Sequence, residues 1–112
     1  MFYEIVNEYR EKNGNKRCNN WDRVVSDYCN LHTLAMVDKG VIYHAEPWLR
    51  IDWGEIVVRT EFVGDQYNTL RHIVFKVIND SQPHRDMLLS CDTLAYGMAA
   101  RDGKLYITVR GR

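Results

Sequence analysis

From Trp21 to Met36 one stripe dominates the sequence: Trp21, Val24, Val25, Tyr28, Leu31, His32, Ala35 and Met36. Residues spaced three or four apart share one face of an α-helix, and no strand carries such a period. Asn19-Asn20 offers an N-cap, with Asp22 then in the first turn. Lys39 falls in the last turn and Gly40 is the expected terminator. The stripe marks the face expected to meet the core.

The other elements arrange themselves around this helix. Phe2, Ile5, Val6 and Tyr9 predict a short opening helix, ended by Asn13-Gly14-Asn15. Val41 to Thr60 is irregular, broken by Pro47 and Gly54, with a strand expected over Glu55 to Arg59. Gly64-Asp65 caps a third helix with the stripe Tyr67, Leu70, Ile73, Val74, Val77 and Ile78, closed by Asp80-Ser81-Gln82-Pro83. His84 to Leu89 reads as one short helical turn. The end reads as a hairpin: Leu94 to Ala100, the turn pair Asp102-Gly103, then Leu105 to Val109 with Leu105, Ile107 and Val109 on one face. Helices early and strands late predict an α+β fold with a small antiparallel sheet covered by helices, not a doubly wound parallel one.

A chain of 112 residues fits one domain, residues 1–112, and at 46% hydrophobic and 27% charged it can bury one real core. Fifteen basic residues balance fifteen acidic ones, so bulk charge points to neither nucleic acid nor anionic lipid. No apolar run is long enough for a transmembrane segment. Met1-Phe2-Tyr3-Glu4 has an early acid and no basic flank, so it does not read as a signal peptide. Either the protein is cytoplasmic, or the chain begins after a signal or an upstream segment. Cys18, Cys29 and Cys91 have no metal-site spacing. They read as free thiols, at least one in the core. If two are joined, Cys18 and Cys91 are the pair, because Cys29 sits in a helical apolar stripe.

Of four histidines, His32 lies on the helical stripe and reads as a satisfied, largely buried residue, and His72 lies off its helix's stripe and reads as solvated. His44 and His84 differ. Each sits in a polar, irregular stretch after a helix, in Tyr43-His44-Ala45-Glu46-Pro47 and Ser81-Gln82-Pro83-His84-Arg85-Asp86, where functional side chains are often held. Tyr43, Trp48 and Trp53 flank His44 and Glu55. They fit either an aromatic-lined cleft or a cover for one edge of the sheet.

These residues also carry a family resemblance. Asn7 and Arg10 lie in the first helix, His32 and Met36 on the second, then come Gly40, His44 and Gly54-Glu55-Ile56. Ser81-Gln82-Pro83-His84-Arg85 ends in Leu88-Leu89, and Gly97 stands in the first hairpin strand. In this order and spacing the chain resembles the CAP superfamily, the SCP-like domains of cysteine-rich secretory and pathogenesis-related proteins, in its bacterial branch. The resemblance covers nearly the whole chain and implies an α-β-α sandwich, with an extracellular or cell-surface location. It departs from the family in four places. Ile56 replaces an Asn, Ile78 a Trp, and Gln82-Pro83 a Pro-x pair, while Ser81 stands where other branches have a second Glu. The polar centre is thus His44, Glu55 and His84, with Ser81 beside them.

Two imidazoles and a carboxylate could hold zinc or another divalent metal, with His44, His84 and Glu55 as ligands and a fourth position open. They could equally form a general acid/base set, or a buried polar network in which Glu55 orients a histidine. Ser81 near His84 suggests a hydrolase, but no G-x-S-x-G elbow is present. The expected function is a non-enzymatic binding module whose His44, Glu55, Ser81 and His84 cleft takes a divalent metal or a small apolar ligand. The alternatives are a metal-assisted hydrolase and a structural interaction domain with a protein partner.

Overall fold

A computed structural model describes all 112 residues, Met1 to Arg112. The elements are α1 (Phe2–Lys12), β1 (Asn20–Trp21), α2 (Arg23–Lys39), a 3-10 turn (Pro47–Leu49), β2 (Gly54–Glu61), α3 (Gln66–His72), α4 (Gln82–Ser90), β3 (Thr93–Arg101) and β4 (Lys104–Gly111). A wider π-helical stretch, Ile73–Ile78, continues α3. The sheet runs β1-β3-β4-β2. The long pairs β2–β4 and β3–β4 are antiparallel. The expected all-antiparallel sheet is corrected in one detail: Asn20 and Trp21 pair parallel with Thr93 and Leu94, so the sheet is mixed.

That short strand also moves the α2 cap. Asn20 is drawn into the sheet and Trp21 packs against Phe2 and Tyr96 at ring distances of 6.3 and 5.8 Å. The cap is therefore Asp22, whose carboxylate accepts from Val25 N–H at 2.9 Å. Gly40 ends the helix at φ 70°, as expected. Asp65 caps α3 by accepting from Asn68 N–H at 2.8 Å. The stretch after Ser81 forms a nine-residue helix, not a single turn, because Pro83 lies in its first turn, where a proline costs no hydrogen bond. Asp102 (φ 52°) and Gly103 (φ 74°) make the left-handed hairpin turn.

Alternation along the strands creates two different sheet faces. One presents Ile56, Val58, Leu94, Leu105, Ile107 and Val109 to α1, α3 and α4, which supply Phe2, Ile5, Val6, Tyr9, Leu70, Ile73, Val74, Ile78 and Leu88. This is the main core, and the stripes of α1 and α3 enter it as expected, apart from exposed Tyr67 and half-buried Val77. The other face carries Glu55, Val57, Ala95, Gly97, Ala99, Tyr106, Thr108 and Arg110, by their register. Here α2 lies alone over β3 and β4. Two helical layers around one sheet make the α-β-α sandwich.

On this face the structure overturns the reading of α2. Its buried residues are Cys29, Thr33 and Met36, centred roughly 100° around the helix from the middle of the apolar stripe. Val24, Tyr28 and Leu31 of the stripe face solvent. The reason is the column of small residues, Ala95, Gly97 and Ala99, that the sheet offers. At Gly97 the helix backbone is so close that a Cβ would lie 2.4 Å from Asn30 N. Only short side chains fit such an approach. Thr33 Oγ1 sits 2.8 Å from Cys29 O, 3.1 Å from Gly97 O and 2.8 Å from Thr108 Oγ1. Its single proton serves a carbonyl and it accepts from Thr108, so the buried hydroxyl is satisfied. The three cysteines are free. Burial pushes the Cys29 thiol up to about 12, which makes it an inert packing residue.

The tight seat predicts the cost of one methyl group. Gly97→Ala should destabilise the domain by about 1–3 kcal/mol, as overpacking does, because the clash is with helix backbone and not with a flexible side-chain tip. Urea unfolding followed by circular dichroism measures this. An unchanged midpoint would mean that α2 does not rest on Gly97.

Candidate functional site

The register of β2 against β4 sets Glu55 directly opposite Arg110. Both are buried, and both point to the face covered by α2. Arg110 Nε donates to Glu55 Oε2 at 2.9 Å. The other oxygen, Oε1, accepts from Ala45 N–H at 2.8 Å and from His44 Nδ1 at 3.0 Å. Arg50 Nε stands 3.9 Å from the same oxygen and donates to Ala45 O at 2.9 Å. The carboxylate therefore stitches the irregular segment before the 3-10 turn to the sheet. Burial by itself would raise the pKa of Glu55. The bonds from Ala45, His44 and Arg110 outweigh it and hold the carboxyl below its usual range.

An ionised carboxylate only accepts, so His44 Nδ1 carries the proton in this contact. Nε2, on the far edge of the ring, is left free, and the side chain is 51% exposed. A histidine so oriented by a carboxylate presents a defined nitrogen to whatever approaches. His84, half-buried in the first turn of α4, has its pKa lowered by burial and then by the charge of His44. The two imidazoles thus lie within electrostatic reach of each other. Ser81 occupies the N-cap of α4, half-buried, with no side-chain capping bond.

The structure therefore brings His44 and Glu55 into contact and sets His84 nearby. No group of three or more His, Cys, Asp or Glu side chains is disposed to hold a metal ion. Glu55 Oε1 accepts from Ala45 and His44 and Oε2 from Arg110, so three of the carboxylate's roughly four acceptor sites are taken by the protein. Arg110 was not among the residues singled out from the sequence. Its signal is the alternation of β4, which puts Tyr106, Thr108 and Arg110 opposite Leu105, Ile107 and Val109. A cation there needs a buried partner, and the cross-strand neighbour supplies it.

The displaced stripe of α2 borders the second feature. A groove of about 530 Å³ runs between α2 and the 3-10 turn. Tyr28, Leu31, His32 and Ala35 form one wall, Trp48 and Leu49 the other, and Ala45 and Arg110 the floor. His32 is half-buried, not largely buried, and its Nε2 lies 2.6 Å from Tyr43 O. Of the three aromatics read as lining a cleft or covering a sheet edge, Trp48 lines the groove, 68% exposed. Tyr43 packs on His32 and under Lys39, and Trp53 lies under Arg112.

No family model matches the sequence, and no curated protein matches it by sequence. Solved structures do. An outer surface protein from Borrelia burgdorferi superposes with a TM-score of 0.72 at 17% identity, over 98% of this chain and 88% of that one. An extracellular protein of Bacillus anthracis containing an SCP domain gives 0.66 at 18% identity, over 99% of this chain and 39% of that one. NaASP2, solved with Zn2+, gives 0.63 at 11% identity, over 98% and 76%. The fold is CAP-like. At these identities the likeness is one of fold.

Within the CAP-like frame, several marked positions prove to be clamps. Asn7 Nδ2 donates to Cys18 O at 3.1 Å and Asn7 Oδ1 accepts from Cys18 N–H at 2.7 Å. Arg10 Nη1 donates to Leu88 O at 2.8 Å and Cys91 O at 3.0 Å, tying α1 to the end of α4. Ile56, where the family has Asn, and Ile78, where it has Trp, are both fully buried in the main core.

The Glu55 network predicts a pH dependence. Because its folded pKa is depressed, its contribution is fully present above the unfolded carboxylate value of about 4.3 and is lost as pH falls through the lower folded value. Glu55→Gln should cost roughly 3 kcal/mol near neutrality by leaving Arg110 buried without its counter-charge. The variant should also lose less stability than wild type between about pH 5 and pH 2. Denaturant unfolding across that range decides it; parallel curves for the two proteins would remove Glu55 from the acid transition.

Proposed function

We propose that this CAP-like domain is a non-enzymatic binding module that takes a small apolar ligand in the groove between α2 and the 3-10 turn. The observation that carries the reading is the displaced stripe. Leu31 is 63% exposed and Trp48 68%, and they face each other across a groove of about 530 Å³, the size of a ligand pocket. Exposing large apolar side chains costs solubility without helping the fold, so a bound occupant is the natural reason for the stripe. The Glu55 network positions the wall opposite α2: Arg110 Nη1 reaches Leu49 O at 3.4 Å, and Arg50 and Ala45 brace the same segment. Glu55 is thus a scaffold for the groove, not a base in a reaction.

A saturable rise in fluorescence of N-phenyl-1-naphthylamine on titration with the protein would report occupancy. Ala35→Trp fills the groove from an exposed position and should weaken this by roughly tenfold or more with unchanged circular dichroism. Equal binding by that variant would move the ligand elsewhere.

A divalent cation at His44 and His84 is the second reading, favoured by the Glu55-oriented ring of His44 and the nearness of His84. Glu55 would then support His44 and not ligate, and water would complete the coordination. NaASP2 was solved with Zn2+, in keeping with this. Both imidazoles must be neutral to bind, and the lowered pKa of His84 favours that. Zinc should raise the melting temperature at about pH 7.5 and not at about pH 5.5, and His84→Ala should abolish the rise. No zinc-dependent rise at the higher pH would remove the cation.

The proposed setting is outside the cytoplasm, as for the Borrelia outer surface protein and the Bacillus extracellular protein. No helix is long and apolar enough to cross a membrane. Recovery of the native protein in the cytosolic fraction of its own cells would contradict that setting.

A further inference from the structure

Two of the three cysteines come level at the edge of the sheet. Asn20 and Trp21 of β1 pair parallel with Thr93 and Leu94 of β3. Carried two residues back, that register sets Cys18 level with Cys91. Residues level on neighbouring strands have Cα atoms about 5 Å apart, inside the roughly 4.4–6.8 Å that a disulfide spans. The two segments are still in touch here, for Cys18 Sγ lies 3.5 Å from Asp92 O. Both side chains meet the main core, Cys18 as a member and Cys91 packed against it. The sheet leaves room for the second sulfur, since a Cβ on Gly111 would lie 2.7 Å from Cys91 Sγ.

One turn of α1 holds both cysteine backbones. Asn7 bonds to the N–H and the carbonyl of Cys18, and Arg10, one turn on, donates to Cys91 O. Trp21 Nε1 also donates to Cys18 O at 3.0 Å, and Asn15 Nδ2 donates to Leu89 O at 3.0 Å. The two segments are thus fixed against each other without help from the sulfurs, and a bridge asks only for side-chain rotation within that frame. Cys91 is half-buried and Cys18 is 3% exposed, so an oxidant meets Cys91 first. Burial raises the pKa of Cys91; Arg10 opposes it, and the nearby charges of Cys18 and Asp92 add to it. The reduced pair is therefore slow to react. Cys29 stands apart, buried under α2 on the opposite face of the sheet.

We infer that Cys18 and Cys91 are a redox site that closes into a disulfide on meeting a small-molecule disulfide, locking the segment that leads into α2 onto the start of β3. The Cys91 thiolate attacks the small disulfide, which forms a mixed disulfide and releases one thiolate. The Cys18 thiolate then attacks Cys91 Sγ and expels the second. The two cysteine protons end on the two released thiols, and the small disulfide takes up the electron pair. The bridge closes a long loop that carries α2, β2 and α3, and long loops are where a cross-link restrains the unfolded chain most. Neither cysteine lines the groove beside α2, so the pair works whatever the groove holds.

Oxidised glutathione added to the native, reduced 112-residue chain tests this. Alkylation after denaturation should then find one free thiol, Cys29, in place of three, and peptide mapping should recover Cys18 joined to Cys91. The oxidised protein should melt roughly 10 °C above the reduced one. Cys91→Ser should leave the melting temperature indifferent to dithiothreitol. Three free thiols after prolonged exposure, a glutathione adduct on Cys91 that never resolves, or a bridge through Cys29 would overturn the proposal. An oxidised protein melting no higher than the reduced one would overturn the locking. The mapping uses wild type alone, so it decides the pairing even where the variant folds poorly.

Discussion

The seat of α2 on the sheet governs most of what is distinctive here. Ala95, Gly97 and Ala99 form a shallow column that lets the helix backbone come within contact distance of the strand. Such an approach admits only Cys29, Thr33 and the flexible Met36 on the inner face. Large side chains must then turn away, and so Tyr28, Leu31 and Val24 end up facing solvent. The sandwich has one thick apolar core, under α1, α3 and α4, and one thin polar-edged layer, under α2. The groove exists because the second layer is thin.

The ion pair of Glu55 and Arg110 belongs to the same thin layer. A single helix cannot cover the whole sheet face, and the uncovered corner is closed by the irregular segment around Ala45 to Arg50. That segment has few apolar contacts of its own. It is held by charge-assisted bonds to the Glu55 carboxylate, which are strong because the carboxylate is sequestered from water. The arrangement also fixes the imidazole of His44. Scaffold and surface chemistry therefore share one residue, and a change at Glu55 would disturb the segment bearing Trp48 as well as the ring of His44.

Elements with strong local signals were legible in the sequence. The stripes of α1 and α3, the caps Asp65 and Gly40, the strand around Glu55 and the turn at Asp102-Gly103 all appear where residue spacing puts them. So does the contact between His44 and Glu55, which the motif order marked although eleven residues separate the two. The pairing of Glu55 with Arg110 was not legible. Whether a carboxylate faces a metal or an arginine depends on the residue across the strand, and Arg110 is fifty-five residues away.

The sequence by itself determined the helical and extended segments, because period, caps and turn chemistry act over a few residues. It also determined that one face of α2 would be apolar. Only the tertiary structure decided which face of α2 is buried. Periodicity measures hydrophobicity around a helix, whereas burial here follows the distance of approach, and Gly97 set that distance from sixty-four residues beyond Thr33. The stripe thus became surface, since a sheet without side chains at its centre accepts a small-residue face more closely than a leucine-rich one.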